Sequence, residues 1–203
     1  MIGNAPHSHI TGVPGWESPA EQELLVRLAG DVPDNGMIVE IGAEYGMSAS
    51  LFALGSSPTV HIISIDLFPG ELLNYHQENL SEAGCLSRTR QVQMNSQKPE
   101  ASMFDLWVRA FNEVPLRPHK IDLLFIDGDH SYQGCKVDID AWTPHVKPSG
   151  RVAFHDTACA TNPLAHALHH EVSRAINDWL AVEGDHWRFL ESVDSIMVFE
   201  RIS

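Results

Sequence analysis

Five places in this chain set polar, chemically capable residues directly after a short apolar run: Glu40-Ile41-Gly42, Asp66, Asn95-Ser96, Asp127-Gly128-Asp129-His130 and His155-Asp156. A neutral imidazole titrates near about 6.5, so His130 with Asp127 beside it could take a proton from a hydroxyl as that oxygen attacks an electrophile. The alternative is that His130 caps the following helix or bonds a carboxylate. Asp127, His155 and Asp156 are candidate ligands of a divalent cation: carboxylates suit Mg²⁺, whereas the His155 imidazole would better suit Mn²⁺, Fe or Zn²⁺. Equally, these groups could hydrogen-bond substrate or one another with no ion, and the sequence does not choose. His166, His169 and His170 fall at helical spacing, which fits a small metal site, an acceptor-pocket lining or a solvated helix face.

Residues so scattered in sequence must be gathered by the fold. Ser18-Pro19-Ala20-Glu21 reads as an N-cap, a proline at the first helical position and a capping-box glutamate, followed by a helix to about Gly30 with Leu24, Leu25 and Leu28 on one face. Strands are expected at 37–41, 60–66, 90–94, 121–127 and 151–156, with helices at SASLFALG, 71–84, 100–114, around 135–142 and 164–182 between or after them. Lys147-Pro148-Ser149-Gly150 reads as a turn ahead of the fifth strand. The final runs WRFLES and SIMVFER leave too few residues between them for a crossover helix and should pair antiparallel. The expected fold is therefore α/β: a doubly wound, Rossmann-like, mostly parallel seven-stranded sheet with an antiparallel last strand and helices on both faces. Such sheets bind ligands beyond the carboxyl ends of their strands, where the polar residues stand.

Glu40-x-Gly42-x-x-x-Gly46 occupies the first strand-to-helix turn, where glycine permits positive φ and close backbone approach; a plain tight turn is the alternative. Asp66 ends the next strand, where a carboxylate can accept hydrogen bonds from ribose hydroxyls, or else cap its own turn. Dinucleotide loops read G-x-G-x-x-G, which this one does not, having Ala43, Glu44 and a late Gly46. An acid at position 40 would repel phosphate and favour the amine and sulfonium of S-adenosylmethionine.

The stretches IVEIGAEYGMSAS, IDLLFIDGDHSYQGCKVDIDAWTPHVKPSGRVAFHDT and GWESPAEQELLVRLA resemble class I S-adenosylmethionine-dependent methyltransferases, and within them the small family of macrocin-type sugar O-methyltransferases and cephalosporin-hydroxylase-like proteins. The resemblance runs over roughly residues 15 to 200. It implies that Glu40, Gly42 and Gly46 line the methionine end of the cofactor, Asp66 the ribose and Asn95-Ser96 the adenine edge, with Ala43, Ser48, Leu67 and Asp127 completing the set. Ala43 and Glu44 depart from the family's small loop residues. Catechol-type O-methyltransferases carry a Mg²⁺-binding aspartate at the same strand end and a lysine three positions on, where this chain has Asp127 and His130.

Composition agrees with a compact enzyme. The formal charge of −14 disfavours nucleic acid and anionic membranes as partners, and the resemblance implies a small-molecule acceptor, a sugar or a phenolic natural product. Cys85, Cys135 and Cys159 lack CxxC spacing and read as free thiols. Of five tryptophans only Trp16, in the leader, is placed to cover a cofactor. One domain over 1–203, with 1–17 as a leader that could lid the site, a cytoplasmic location and compatibility with a homodimer complete the expectations. Two other classes stay open: an NAD- or nucleotide-sugar-linked oxidoreductase, and a non-catalytic S-adenosylmethionine-binding protein.

Overall fold

The computed structural model describes residues 10–98, 103–111, 120–157 and 170–203. Among them the strands are β1 (Met37–Ile41), β2 (His61–Asp66), β3 (Thr89–Gln93), β4 (Ile121–Ile126), β5 (Val146–Phe154), β6 (Trp187–Val193) and β7 (Ile196–Arg201). The helices are α1 (Pro19–Gly30), α2 (Met47–Gly55), α3 (Leu72–Glu82), α4 (Met103–Phe111), α5 (Tyr132–Trp142) and α6 (His170–Glu183). The strands form one seven-stranded sheet in the order β3-β2-β1-β4-β5-β7-β6. The pairs β1–β2, β1–β4, β2–β3 and β4–β5 are parallel, and β7 runs antiparallel to both neighbours. The expected α/β architecture is thus present, and the short Val193-Asp194 turn does return the chain antiparallel. β7 enters the sheet between β5 and β6 rather than at its edge.

Period-two alternation divides each central strand between two helical layers. Met37, Val39 and Ile41 of β1 pack with Leu106, Ile139, Trp142 and Trp179 of α4, α5 and α6. Ile38 faces the other way, among Leu24, Leu25 and Leu28 of α1, Phe52 of α2 and Leu80 of α3. α1 starts as expected, with Ser18 and Glu21 forming both halves of a capping box and Pro19 in the first turn. Lys147-Pro148-Ser149-Gly150 differs from its expectation: these residues lie inside β5 as an irregularity in its pairing with β4, where Ser149 takes φ +64°. Lys147 is anchored there by an ion pair to Asp122. Trp107, Trp142, Trp179 and Trp187 are buried core residues, and Cys85 and Cys135 are free and buried; Cys159, His166 and His169 lie outside the described residues. No helix among the described residues is long and apolar enough to cross a membrane.

The same alternation turns Glu40 toward α2 and buries it completely. A buried carboxyl must be hydrogen-bonded, and the hydroxyls of Ser48 (2.6 Å) and Ser64 both donate to it. Burial nevertheless raises its pKa to about 7. Because the folded state then holds the proton more tightly than the unfolded chain, this residue makes stability fall as pH rises from about 4.5 through about 7. Glu40→Gln should flatten the decline of Tm between pH 5 and 8 in thermal melts; an unchanged decline would contradict the assignment.

Candidate active site

Where the parallel strands end, their backbones stay knit for one more residue: Gly42 N–H donates to Ile65 O (2.9 Å), Asp127 N–H to Ile41 O (2.9 Å) and His155 N–H to Ile126 O (3.0 Å). This brings the ends of β2, β1, β4 and β5 together at one rim. Gly42 has φ +85°, and a Cβ there would stand 2.0 Å from the Asp127 carbonyl oxygen. Only glycine satisfies both constraints. Gly46, also left-handed at φ +94°, caps α2 against the buried ring of His76. His76 Nδ1 lies 3.0 Å from Glu44 O and so ties α3 to the β1–α2 loop.

A cleft of about 1080 Å³ opens at this rim, and Gly42, Asp66, Leu67, Asn95, Ser96, Asp127, His130, His155 and Asp156 all line it. Nine of the residues singled out in the sequence therefore share one cavity. Glu40, Ala43, Gly46 and Ser48 do not line it: Glu40, Ala43 and Ser48 are buried beneath the loop, and Ser48 spends its hydroxyl on Glu40. Asp66 accepts Phe68 N–H on one oxygen (2.8 Å) and Glu44 N–H on the other (3.1 Å), which holds it at the cleft wall. Ser96 donates its hydroxyl to Asp138 (2.7 Å), and its carbonyl accepts the Trp142 indole N–H (3.1 Å), so it forms a fixed wall.

The charged groups sit beyond, at β4 and β5. His130 places Nε2 3.3 Å from Asp127 Oδ1 and Nδ1 3.2 Å from Asp156 Oδ2. The hydrogen bond to Asp127 raises the His130 pKa above its ordinary value. Asp156 reaches this position from a left-handed backbone, φ +55°, a conformation costing about 1–3 kcal/mol that surrounding contacts must impose. His155 is buried, with Nδ1 3.0 Å from Asp127 Oδ1 and Nε2 3.7 Å from Glu21 Oε2. Burial alone would lower the His155 pKa, but the charges of Asp127 and Glu21 raise it well above the usual range. Reciprocally, although burial would raise both acids, the His155 charge holds Asp127 and Glu21 at about 2. Among the described residues, Asp127, His130 and Asp156 converge closely enough to hold a metal ion. This group has His130 where the expected set of Asp127, His155 and Asp156 has His155, whose Nδ1 stands 3.0 Å from Asp127 Oδ1 and 3.7 Å from Asp156 Oδ1.

Glu21 is the residue that sequence reasoning missed. Read as a local cap, it also accepts the Ser195 backbone N–H (2.8 Å) and hydroxyl (2.6 Å), joining α1 to the β6–β7 turn. Thr157 N–H donates to Ser195 O (2.9 Å), which closes the junction with β5. The signal was its spacing: 21 lies three, four and seven positions before Leu24, Leu25 and Leu28, on the buried face of α1. Trp16, 49% exposed, lines the cleft with its indole N–H donated to Glu44 (3.1 Å). Removing one partner of a buried ion pair typically costs about 3–5 kcal/mol. Glu21→Ala should therefore lower unfolding free energy in urea by at least about 2 kcal/mol, and a loss under about 0.5 kcal/mol would contradict this role.

A protein-family model described as a methyltransferase domain matches residues 39–157, from β1 through the end of β5. An uncharacterized protein, y4gI of Sinorhizobium fredii, is 31% identical over 127 residues, 59% of this chain, and the match spans only 13% of that relative's length. Among solved structures, CalS11, a TDP-rhamnose 3'-O-methyltransferase of calicheamicin biosynthesis, superposes with a TM-score of 0.60 at 20% identity, over 88% of this chain and 76% of that one. An O-methyltransferase from Bacillus cereus in complex with SAH gives 0.62 at 16% identity, over 92% and 83%. At these identities the likeness is one of fold. The family match covers more than half of the chain and lies on the very strands whose ends build the cleft, and on that ground the chain belongs to the methyltransferase-domain family.

Proposed function

We propose that this chain transfers a methyl group from S-adenosylmethionine to a hydroxyl of a small molecule, a sugar or a phenolic natural product. The observation that carries the reading is the convergence of Gly42, Asp66, Asn95 and Asp127 on a single cleft beside His130. The room available and the donor set fit the cofactor: a side-chain-free turn at Gly42, a carboxylate at Asp66 with lone pairs free for ribose hydroxyls, and a negative wall suited to a cation. The family match favours this reading over a nicotinamide-linked oxidoreductase. That structural neighbours are O-methyltransferases supports oxygen as the methylated atom.

Bound S-adenosylmethionine supplies an electrophilic methyl on a positively charged sulfur. The chain's residues would do the rest. Gly42 and the β1–α2 loop bring backbone against the methionine end, and Asp66 accepts the ribose hydroxyls. Asn95 and Ser96 bound the adenine edge, with Leu67, 58% exposed, offering apolar surface beside Asp66. Asp156 beside Nδ1 of His130 and Asp127 beside Nε2 orient the ring, and Nε2 takes the acceptor's hydroxyl proton by exchanging its 3.3 Å contact with Asp127 for the acceptor oxygen. Alignment of that oxygen with the methyl carbon supplies the remaining advantage.

One observation favours a second version of the chemistry. The closeness of Asp127, His130 and Asp156 would suit a divalent cation held by two carboxylates and an imidazole. His130 would then be a ligand and could not be the proton acceptor. The two versions separate cleanly. With His130 as base, activity survives EDTA, and His130→Ala lowers kcat by about 10²–10⁴-fold while the affinity for S-adenosylhomocysteine changes less than about threefold. With an ion, EDTA abolishes methyl transfer and added Mg²⁺ or Mn²⁺ restores it. Calorimetry should find S-adenosylhomocysteine binding and no NADH binding; the reverse would defeat the proposal.

A further inference from the structure

The order of the strands divides the cleft. β3, β2 and β1 carry Asn95, Asp66 and Gly42 on one side, while β4, β5 and the β6–β7 turn carry Asp127, Asp156 and Asp194 on the other. The first half is the cofactor's in the reading above. The second half, with Ser18 bonded to Asp194 at its edge and Trp16 at the border with the β1–α2 loop, is what remains for the acceptor.

Charge in this second half is one-sided. Among the described residues lining the cleft there is no Lys or Arg. Five carboxylates, Glu21, Asp127, Asp129, Asp156 and Asp194, face only two imidazoles, His130 and His155, so the balance stays negative even with both rings protonated. Asp194 is held at the rim by the Ser18 hydroxyl (2.5 Å), two residues from Trp16. Trp16 keeps half its surface open beside its hydrogen-bonded partner Glu44. An aromatic face with carboxylates beside it is the combination that binds ammonium groups, through cation–π attraction and direct charge pairing. A phosphate placed there would meet an excess of like charge and no Lys or Arg, and like-charge juxtaposition is a strong means of rejecting a wrong ligand.

Resting on the methyl-transfer reading, we infer that the acceptor bears a protonated amine near the hydroxyl that is methylated, as in an amino sugar or an aminoalkyl phenol, and that acceptors carrying phosphate, nucleotide diphosphate or coenzyme A are rejected. The specificity of this chain is in that respect opposite to that of a nucleotide-sugar methyltransferase with the same fold. Asp194 and Trp16 are the residues assigned to select the amine, with Asp156 adding to the field.

The test uses the full chain with S-adenosylmethionine and size-matched trios: dopamine, 4-methylcatechol and 3,4-dihydroxybenzyl phosphate, and glucosamine, glucose and glucose 6-phosphate. Methylation is read by mass spectrometry, and S-adenosylhomocysteine affinity is measured in parallel. The amine member of at least one trio should exceed its neutral analogue by about tenfold in kcat/KM, with the phosphate member lower still. Asp194→Asn, which keeps an acceptor for Ser18, should remove most of that preference through KM while leaving kcat and S-adenosylhomocysteine binding within about twofold. Trp16→Leu should act in the same direction. Equal or better use of a neutral or phosphate member overturns the inference, as does methylation of no member by a protein that binds S-adenosylhomocysteine. A protein that fails to bind S-adenosylhomocysteine overturns the methyl-transfer reading itself.

Discussion

The cleft exists because two parallel strand ends come closer than side chains permit. Gly42 lies over the carbonyl of Asp127, in a left-handed conformation and with no space for a Cβ. That contact sets the β1–α2 turn directly against the β4 end, and the backbone hydrogen bonds from Gly42, Asp127 and His155 extend the sheet's register into the loops. Everything with chemical potential is hung on those loops. Asp66 is positioned by the N–H groups of Glu44 and Phe68, and Glu44 in turn is steadied by His76 from α3. A rigid sheet thus delivers its precision to residues that belong to no regular element.

Concentrating acids at one rim carries an electrostatic cost that the fold offsets by pairing. Asp127 and Glu21 stay ionised although largely removed from water, because the buried His155 stands between them as a cation. Ser195 satisfies the far side of Glu21, and Ser18 completes its cap. The result is a polar path from the β6–β7 turn through α1 to the cleft floor, in which His155 Nε2 faces Glu21 at ion-pair rather than hydrogen-bond distance. Glu40, equally buried but flanked by hydroxyls instead of an imidazole, meets the same cost by holding its proton more tightly. Asp156 shows that the arrangement is imposed, since its left-handed backbone is unfavourable in isolation.

Much of this was legible in the sequence. Short apolar runs alternating with helical segments marked the strands and their order of appearance, and the polar residues following each run marked the rim where Asp66, Asp127 and His130 line one cleft. What periodicity cannot convey is direction and partnership across the sheet. The side of β1 on which Glu40 lands depends on strand parity relative to α2, and this turns Glu40 and Ser48 toward each other and away from the cleft. The pairing of His155 with Glu21 joins residues more than a hundred positions apart, through a turn whose place beside β5 is set only by the insertion of β7 into the sheet. A capping-box signature explained Glu21 well enough locally to hide its second role. The turn expected at Lys147-Pro148-Ser149-Gly150 proved to be a bulge within β5, since an ion pair from Lys147 to Asp122 lets the strand begin earlier than its apolar run.

The central claim is that this rim, built by Gly42 against Asp127, is a seat for a sulfur nucleoside. A crystal structure of the chain grown with S-adenosylhomocysteine tests it most directly. The account predicts the ribose hydroxyls on the Asp66 carboxylate, the adenine beside Asn95 and Ser96, and the sulfur facing the side of the cleft that holds Asp127 and His130. Density for the ligand on another surface, or a cleft left empty at saturating ligand, would contradict it.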